Sequence, residues 1–562
     1  MTNIKFFALG GLGEIGKNMY VLEVGEKIFV FDCGSITPMS QVFGYDSIMA
    51  GYQYLIENQD RIQGIFLTHF KPKAMGGFPR IIKDLKVPFY ASRFTIKAIE
   101  NRYLSNEEKE DVNFQHIGRN HSLDFDDVKM EFFIVSNSVP DALGIAVKVN
   151  VGEDDNPIYK NIVYLPDFDF DQNKKGRYRT DFKTLNRIAD EGVFILLSPS
   201  TGAAKTGHIT TDGNLKNGLH KLMSHEGRTF IIMNADNVTG MLEVIDAADN
   251  QRRKVTIIGA KARSLVELSM SLGYTPEYEE TYLAKSKLND EYRNSPNTVV
   301  IIAGEETEQF FALQRIATFQ DPKYFLKASD NVVFLLETPK KFEKVLANSW
   351  DNIWLDNANL IEFDISLMPD PMCGAEDLKL LYSLLSPEYI IPISGDYRML
   401  KAQKSIALDY GFDYDKIIFL ENGVFAKFEG NEYIDDFDSI ETQEIMFGEE
   451  SDSDINDYVA REREALTQEG FVIISGLINL KEREICGDID LISQGFMPKE
   501  EQDSLIPKLN EKFKQIVNEH LRLKKIDFKE LRSNLKIELS KEIQKITKKR
   551  PTLIPVIIDV SV

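Results

Sequence analysis

At 562 residues the chain exceeds what one hydrophobic core organises, and 43% hydrophobic with 10% aromatic residues excludes a disordered or fibrous protein in favour of several globular domains. Its 88 acids against 66 Lys and Arg give a formal charge of −22. That excludes a surface gripping nucleic acid broadly, because phosphate binding draws most of its affinity from cations that displace counterions. No apolar run approaches the ~20 residues a membrane helix needs, and the opening MTNIKFFALGGLGE has neither a basic leader nor a small-residue cleavage site, so a cytoplasmic protein is expected.

In chain order, short β-rich runs come first: IKFFAL, NMYVLEV, KIFVFDCG, IQGIFLTH, VPFYAS, KMEFFIVS, IAVKVNV, NIVYLPDF and VFILLSPS, a strand-rich α/β layered pattern over residues 1–208. Within it GLGEIG, Gly11 to Gly16, fits the dinucleotide-binding pattern G-x-G-x-x-G. The segment that follows, KNMYVLEVGEKIFVFD, reads as strand, Gly-Glu turn and strand, whereas the fingerprint needs a helix there to bind the pyrophosphate; a glycine-rich β-turn is expected. From 209 to 347 the texture becomes helix, strand, helix (NLKNGLHKLMSH, RTFIIMNA, VTGMLEVIDAADNQ, KVTIIGA, ARSLVELSMSLG, NTVVIIAG), a doubly wound insert. Strands resume at NLIEFDISL and YIIPISGD, with the helix AEDLKLLYSLLSP between them, in a return segment 348–440. The acidic run ETQEIMFGEESDSDIND, 441–457, reads as a solvated linker. A small α/β unit, 458–562, follows, with strands FVIISGLINL and PTLIPVIIDV around two amphipathic helices.

The chemistry-bearing residues are few. Cys33, Cys373 and Cys486 are widely spaced and form no C-x-x-C pair, so core thiols are expected rather than disulfides or a zinc site. His116, His121, His208, His220, His225 and His520 make no metal-ligand spacing; His116 and His121 are expected on a surface loop. The stretch IFLTHFKPKAMGG, 65–77, is different: an apolar strand closing on Thr68-His69 and reopening at Gly76-Gly77 resembles the frame in which one large hydrolase superfamily carries a cluster of metal-binding histidines, yet Lys71, Pro72, Lys73 and Ala74 stand there.

The ordered phrases ALGGLGEIGKNMYVLEV, FVFDCG, IFLTH…GG, SNSVPDALGI, PDFDFD, the α/β insert, PISGDYRM and QGF…TKKRPTLIPVI resemble ribonuclease J over nearly the whole chain, most specifically in the first 170 residues and at the C-terminus. The resemblance implies a metallo-β-lactamase αββα sandwich, an inserted β-CASP doubly wound domain and a small α/β C-terminal oligomerisation domain. It also implies two zinc or manganese ions that hold a hydroxide for attack on a phosphodiester, 5′ to 3′ and sometimes internally in RNA. Such a centre needs about six to seven His and Asp ligands from several strand ends.

Carried over by motif, the ligands are mostly replaced. His69 survives, while Lys71, Lys73 and Ala74 take the next three positions of His-x-His-x-Asp-His. Asn137 stands where a histidine precedes Ser-x-Pro-Asp, and Ser394 replaces the last metal histidine in PISGDYR. Asp167 keeps the place of the bridging aspartate, and Asp32 resembles a supporting acid. Two ligands, His69 and Asp167, do not hold a dinuclear centre, so no resident metal or other cofactor is expected. Lys71 and Lys73 also carry positive charges where a dication would sit; two unit charges ~4 Å apart repel by ~4 kcal/mol at an effective dielectric of 20. Either a lysine ammonium partly replaces the metal, facing Asp167 or Asp32, or both lysines point to solvent.

The family's pocket for an RNA 5′ phosphate is replaced as well. Its positions correspond here to Asp236, Asn237, Glu305, Glu306, Asp370 and Met372, which sets carboxylates against phosphate and leaves no hydroxyl donor.

The resemblance therefore implies a catalytically silent or very weakly active pseudoenzyme in RNA processing and decay, in rRNA maturation and mRNA turnover. It would act in a homo-oligomer or a hetero-oligomer with an active ribonuclease J, with weak RNA association and no DNA or membrane partner. PTLIPVIIDV, preceded by the basic ITKKR, would serve as an interface strand or as an ordinary strand within its own sheet. Two alternatives stay open: a 5′–3′ exo/endoribonuclease with residual metal-dependent activity, and a scaffold unrelated to RNA.

Overall fold

The computed structural model describes residues 2–561 except 39–46, 154, 172–177, 210–214, 277, 279, 306, 337–342, 356–357, 368–371, 437, 449–465, 467–468 and 524–525. Residues up to Ile36 and from Ile48 to Glu444 form one compact unit, and those from Ile445 onward belong to a second. Of the acidic stretch 441–457 expected as a linker, residues 449–457 lie outside the described residues, while Glu444–Phe447 forms a strand instead of a solvated linker, its Met446 and Phe447 being apolar.

Two sheets carry the first unit. One runs, in spatial order, Glu432–Ile434, Ala426–Glu429, Asn3–Gly10, Met19–Val24, Lys27–Phe31, Ile62–Leu67, Phe89–Ala91 and Phe114–His116. The other runs Ser122–Phe125, Val128–Ile134, Leu143–Asn150, Tyr159–Tyr164, Val193–Pro199 and Tyr389–Ile393. Period-two alternation decides which side chains meet between them. Phe6, Phe29, Phe31 and Phe66 of the first sheet share one buried cluster with Phe132, Ile145, Tyr164 and Ile195 of the second. The outer face of the second sheet packs Phe133, Val163 and Leu196 against Leu185 and Ile188 of helix Phe182–Asp190 and Leu378 and Leu381 of helix Ala375–Leu385. Phe66 is the pivot of the inner layer: its ring stacks on Tyr90 at 4.7 Å and lies 6.0 Å from Phe132 across the layer. Gly64, two residues earlier on the same strand, leaves the space that the Tyr90 ring occupies.

Gly11, Gly13 and Gly16 adopt positive φ of 96°, 75° and 118°, and the chain then enters strand Met19–Val24, not a helix. The turn reading of GLGEIG follows from that geometry.

The insert is a five-stranded parallel sheet, in order Lys254–Ile258, Thr298–Gly304, Thr229–Asn234, Asn331–Phe334 and Asn359–Ile361. Asn331–Phe334 was not among the expected strands. Asn359–Ile361, expected in the return segment 348–440, instead extends the insert's sheet by pairing with Asn331–Phe334, and helix Glu343–Leu355 spans the expected boundary at 347. Four residues of regular alternation carry too weak a periodicity to announce a buried parallel strand, and the apolar NLI could not declare which sheet it would join. His116 likewise ends the edge strand Phe114–His116 instead of lying in a loop, although both it and His121 are exposed.

In the second unit, Phe471–Asn479 lies between Glu484–Gln494 and Thr552–Asp559. Helices Lys499–Leu521 and Phe528–Thr547 cover one face through Leu509, Phe513, Leu535 and Leu539. PTLIPVIIDV is thus a strand of its own sheet, at an edge, with Leu553 and Ile557 inward and Ile554 and Ile558 exposed.

Truncating Phe66 to Ala removes a fully buried ring from the inter-sheet layer. A loss of about 3–5 kcal/mol is expected, read as a lower denaturant midpoint in chemical unfolding.

Candidate functional site

Several strands of the two sheets deliver their C-terminal ends to one place. Lys27–Phe31 leads to Asp32, Ile62–Leu67 to Thr68 and His69, Val128–Ile134 to Asn137, Tyr159–Tyr164 to Asp167, and Tyr389–Ile393 to Ser394. Carboxyl ends of parallel strands are where α/β sheets ordinarily place ligands.

Asp32 is fully buried with a positive φ of 62°, and its backbone N–H donates to the Phe66 carbonyl at 2.9 Å. Its carboxyl accepts from the Thr68 N–H at 2.8 Å, from the Thr68 hydroxyl at 2.9 Å and from the Tyr164 hydroxyl at 2.6 Å. Burial pushes this carboxyl up to about 7, against the opposing pull of the Thr68 and Tyr164 donors and the Lys73 charge.

His69 is also fully buried. Burial, then the charges of Lys73 and Lys71, hold its imidazole well below the usual range, so it is neutral. While Asp32 is ionised, Thr68 gives its single hydroxyl proton to Asp32 and so accepts from His69 Nδ1–H, 2.9 Å away. That tautomer leaves Nε2 as a bare lone pair, and it has no hydrogen-bond partner among the described residues.

Opposite stands the largest departure from a metal centre. The short helix Pro72–Met75 begins at a proline and is tied down by its own backbone: the Lys73 carbonyl accepts from Asn18 N–H at 3.1 Å and the Ala74 carbonyl from Cys33 N–H at 2.7 Å. Gly34 has no Cβ because the Lys73 carbonyl occupies that space. So held, Lys73 places its ammonium in an ion pair with the Asp167 carboxylate, whose side chain is only 3% exposed. The Thr201 hydroxyl donates to the other Asp167 oxygen at 2.7 Å, and Asn137 Nδ2 donates to the Asp167 carbonyl at 2.7 Å. Lys71 also turns inward, 9% exposed, with Nζ 4.0 Å from Asp236 of the insert. Neither lysine points to solvent. Ser394 is buried at φ 49° and receives the Asn18 side-chain amide at 3.5 Å.

The structure therefore gathers Asp32, His69, Lys71, Lys73, Ala74, Asn137, Asp167 and Ser394 around one spot and brings Asp236 to its edge. Asn237 instead caps helix Val238–Asn250, accepting from Gly240 N–H at 3.0 Å. Glu305 pairs with Lys261 and, at 3.1 Å, with Arg102. Met372 is half-buried beside Gly202. Glu306 and Asp370 lie outside the described residues. Sequence reasoning missed Thr68, Tyr164, Thr201 and Asn18, whose roles depend on contacts between distant segments. It also missed a His–acid pair, His208 Nδ1 to buried Asp377 at 2.7 Å; Asp377 further accepts from the Ile209 and Gly374 N–H groups and so fixes the start of helix Ala375–Leu385. Cys33, Cys373 and Cys486 are free thiols.

The donor set does not fit two metal ions. The bare Nε2 of His69 could serve as one ligand, but the Asp167 carboxylate is occupied by an ammonium. Among the described residues no three His, Cys, Asp or Glu side chains are grouped to hold a metal.

A two-sheet sandwich interrupted by a parallel, doubly wound insert, with its strand ends meeting beneath that insert, is the metallo-β-lactamase fold of the β-CASP class. Residues 226–339 match the family model of the ribonuclease J β-CASP domain and residues 458–560 that of the ribonuclease J C-terminal domain. The chain belongs to the ribonuclease J family. It is 28% identical over 560 residues to ribonuclease J 2 of Staphylococcus epidermidis, covering 99% of this chain and 98% of that one. It is 28% identical over 559 residues to ribonuclease J 2 of Staphylococcus aureus, with the same coverage. A crystal structure of a protein of unknown function from Enterococcus faecalis V583 superposes with a TM-score of 0.49 at 14% identity, covering 76% of this chain and all of that one.

Replacing Lys73 with Met leaves the buried Asp167 carboxylate without its cation. A loss of about 3–5 kcal/mol is expected in chemical unfolding. Lys71→Met, which breaks a 4.0 Å pair with a partly exposed acid, is expected to cost less than about 1 kcal/mol.

Proposed function

We propose that this chain is a ribonuclease J-like subunit of RNA processing and decay that does not itself cleave RNA, or does so only very weakly, and that supports an active ribonuclease J. The observation that carries the reading is the Lys73 ammonium seated on Asp167. A nuclease of this class needs two cations that share the developing charge on the phosphodiester and lower the pKa of a bound water. An ammonium supplies one charge, has no open coordination position and cannot present a hydroxide. With Asn137 and Ser394 at two further ligand positions, His69 stands as the one imidazole at the spot.

A supporting role requires a surface for association, and the second unit offers one. The face of its sheet turned away from the helices exposes Leu477, Ile492, Ile554 and Ile558, each at least 40% accessible, beside the edge strand Thr552–Asp559. Exposed apolar sheet faces of this kind mark contact with another protein. The partner in this reading is an intact ribonuclease J or a second copy of this chain. RNA contact, if retained, is weak.

A second reading, residual metal-dependent cleavage, draws on the unpartnered Nε2 of His69. Elemental analysis of the purified chain after exposure to excess zinc and manganese separates the two. Fewer than ~0.1 metal ions per chain is the expected result, and one or two per chain would make cleavage the better reading. Co-elution with an intact ribonuclease J in size-exclusion chromatography is expected as well.

A further inference from the structure

A cavity of about 240 Å³ opens where the C-terminal end of strand Val128–Ile134 meets the start of helix Phe182–Asp190. Asp181 joins the two, its N–H donating to the Ile134 carbonyl at 2.9 Å. None of the residues gathered around Asp167 lines this cavity. Its walls are apolar at Ile134 and Phe182, the latter stacked on Phe170 at 5.4 Å, and cationic at Arg119, Arg179 and Lys183.

Arg119 is held by a buried acid. Its Nε–H donates to the Asp181 carboxylate at 2.9 Å, and that carboxylate is fixed in turn by the Thr184 N–H at 3.3 Å and the Thr184 hydroxyl at 3.0 Å. A guanidinium tied through Nε keeps its two terminal nitrogens, whose N–H groups lie in one plane and match two oxygens of a phosphate. Those nitrogens have no hydrogen-bond partner among the described residues. Arg179 and Lys183 are exposed and have no carboxylate partner among the described residues either. By contrast, Arg61, Arg102, Arg187 and Arg228 are each paired with an acid.

Three cations against one carboxylate leave this cavity a surplus of two positive charges, in a chain whose formal charge is −22. Like charges lining one cavity repel, and an anion among them relieves that repulsion. The volume lies below the ~300–1,000 Å³ of pockets for drug-sized ligands, so the anion is a small one. Ile134 and Phe182 give a bare ion nothing to bind, but they suit a carbon skeleton attached to it.

We propose that this cavity is a site for a small phosphate anion, free or as the monoester of a small molecule. Arg119 is its forked donor, Asp181 positions that fork, and Arg179 and Lys183 supply charge. The site stands apart from the non-catalytic reading and from any metal.

The test is isothermal titration calorimetry of the full chain in EDTA with adenosine 5′-monophosphate, inorganic phosphate and adenosine. The monophosphate is expected to bind, adenosine not to bind, and phosphate to compete. The Arg179→Gln, Lys183→Gln double variant is expected to bind the monophosphate about tenfold or more weakly and to unfold at the wild-type midpoint, since neither residue loses a partner. Tighter binding of the monophosphate than of phosphate is expected from the apolar wall and assigns the site to monoesters; equal affinities would assign it to free phosphate. Binding of neither, unchanged affinity in the double variant, or binding of a 5′-phosphorylated RNA alone would overturn the proposal. On the wild type, the monophosphate is expected to slow hydrogen exchange at 135–136 and 179–185, and unchanged exchange there would overturn it whatever the variant does.

Discussion

A carboxylate buried to 3% exposure must be neutralised from within hydrogen-bond reach, and the centre of this protein is arranged around that need at Asp167. The strand that delivers Asp167 belongs to the sandwich core, so the acid cannot retreat to solvent without disturbing the layer that holds Tyr164 and Ile162. Something positive has to stand opposite. In a metallo-β-lactamase nuclease that is the pair of metal ions; here it is the ammonium of Lys73, whose carbonyl accepts from Asn18 N–H in the space that Gly34 leaves open, while Cys33 N–H holds the neighbouring Ala74. The same logic explains why Asp32 tolerates full burial. Two side-chain hydroxyls and a backbone N–H point at it, and burial raises its affinity for a proton.

An ammonium on Asp167 can satisfy the buried acid without supplying the chemistry of a metal centre. Opposite charge at the right distance satisfies the electrostatics of the buried acid whether it arrives as an ion or as an ammonium. Catalysis asks for more: an open coordination position and a polarised water, neither of which an ammonium has. The surrounding scaffold still behaves as though a site were present. Thr68 still fixes the His69 tautomer with Nε2 free. Fixing a ring nitrogen through the other nitrogen's hydrogen bond is how metal-binding histidines are oriented.

Much of the fold was legible because period-two alternation is strong in long apolar strands. All nine strands expected in the first two hundred residues occur, from Asn3–Gly10 to Val193–Pro199. Short strands such as Ser122–Phe125 and Asn331–Phe334 were not legible, since four residues cannot separate a strand from a buried loop. At the site, the identities of Lys71, Lys73, Asn137 and Ser394 were plain from their motifs, but their geometry was not. That Lys73 and not Lys71 meets Asp167 depends on a helix of four residues starting at Pro72. The acids at 236 and 305 read as phosphate-repelling in isolation. Their cationic partners, Lys71, Lys261 and Arg102, sit far away in sequence, and only the folded chain brings them together.

The second sheet closes in an order that the chain cannot shorten. Strand Val193–Pro199, buried along its whole length, waits for Tyr389–Ile393 to pair beside it in parallel, and the entire insert lies between them in sequence. The entropic cost of closing so long a loop grows only logarithmically, so the finished sheet loses little stability by it. The delay is kinetic. Until the return strand arrives, VFILLSP presents an unpaired apolar edge, the kind of surface that captures other chains before it captures its own partner. The connectivity of this protein therefore makes one edge of its second sheet depend on a strand that is synthesised only after the whole insert, independently of anything its site does.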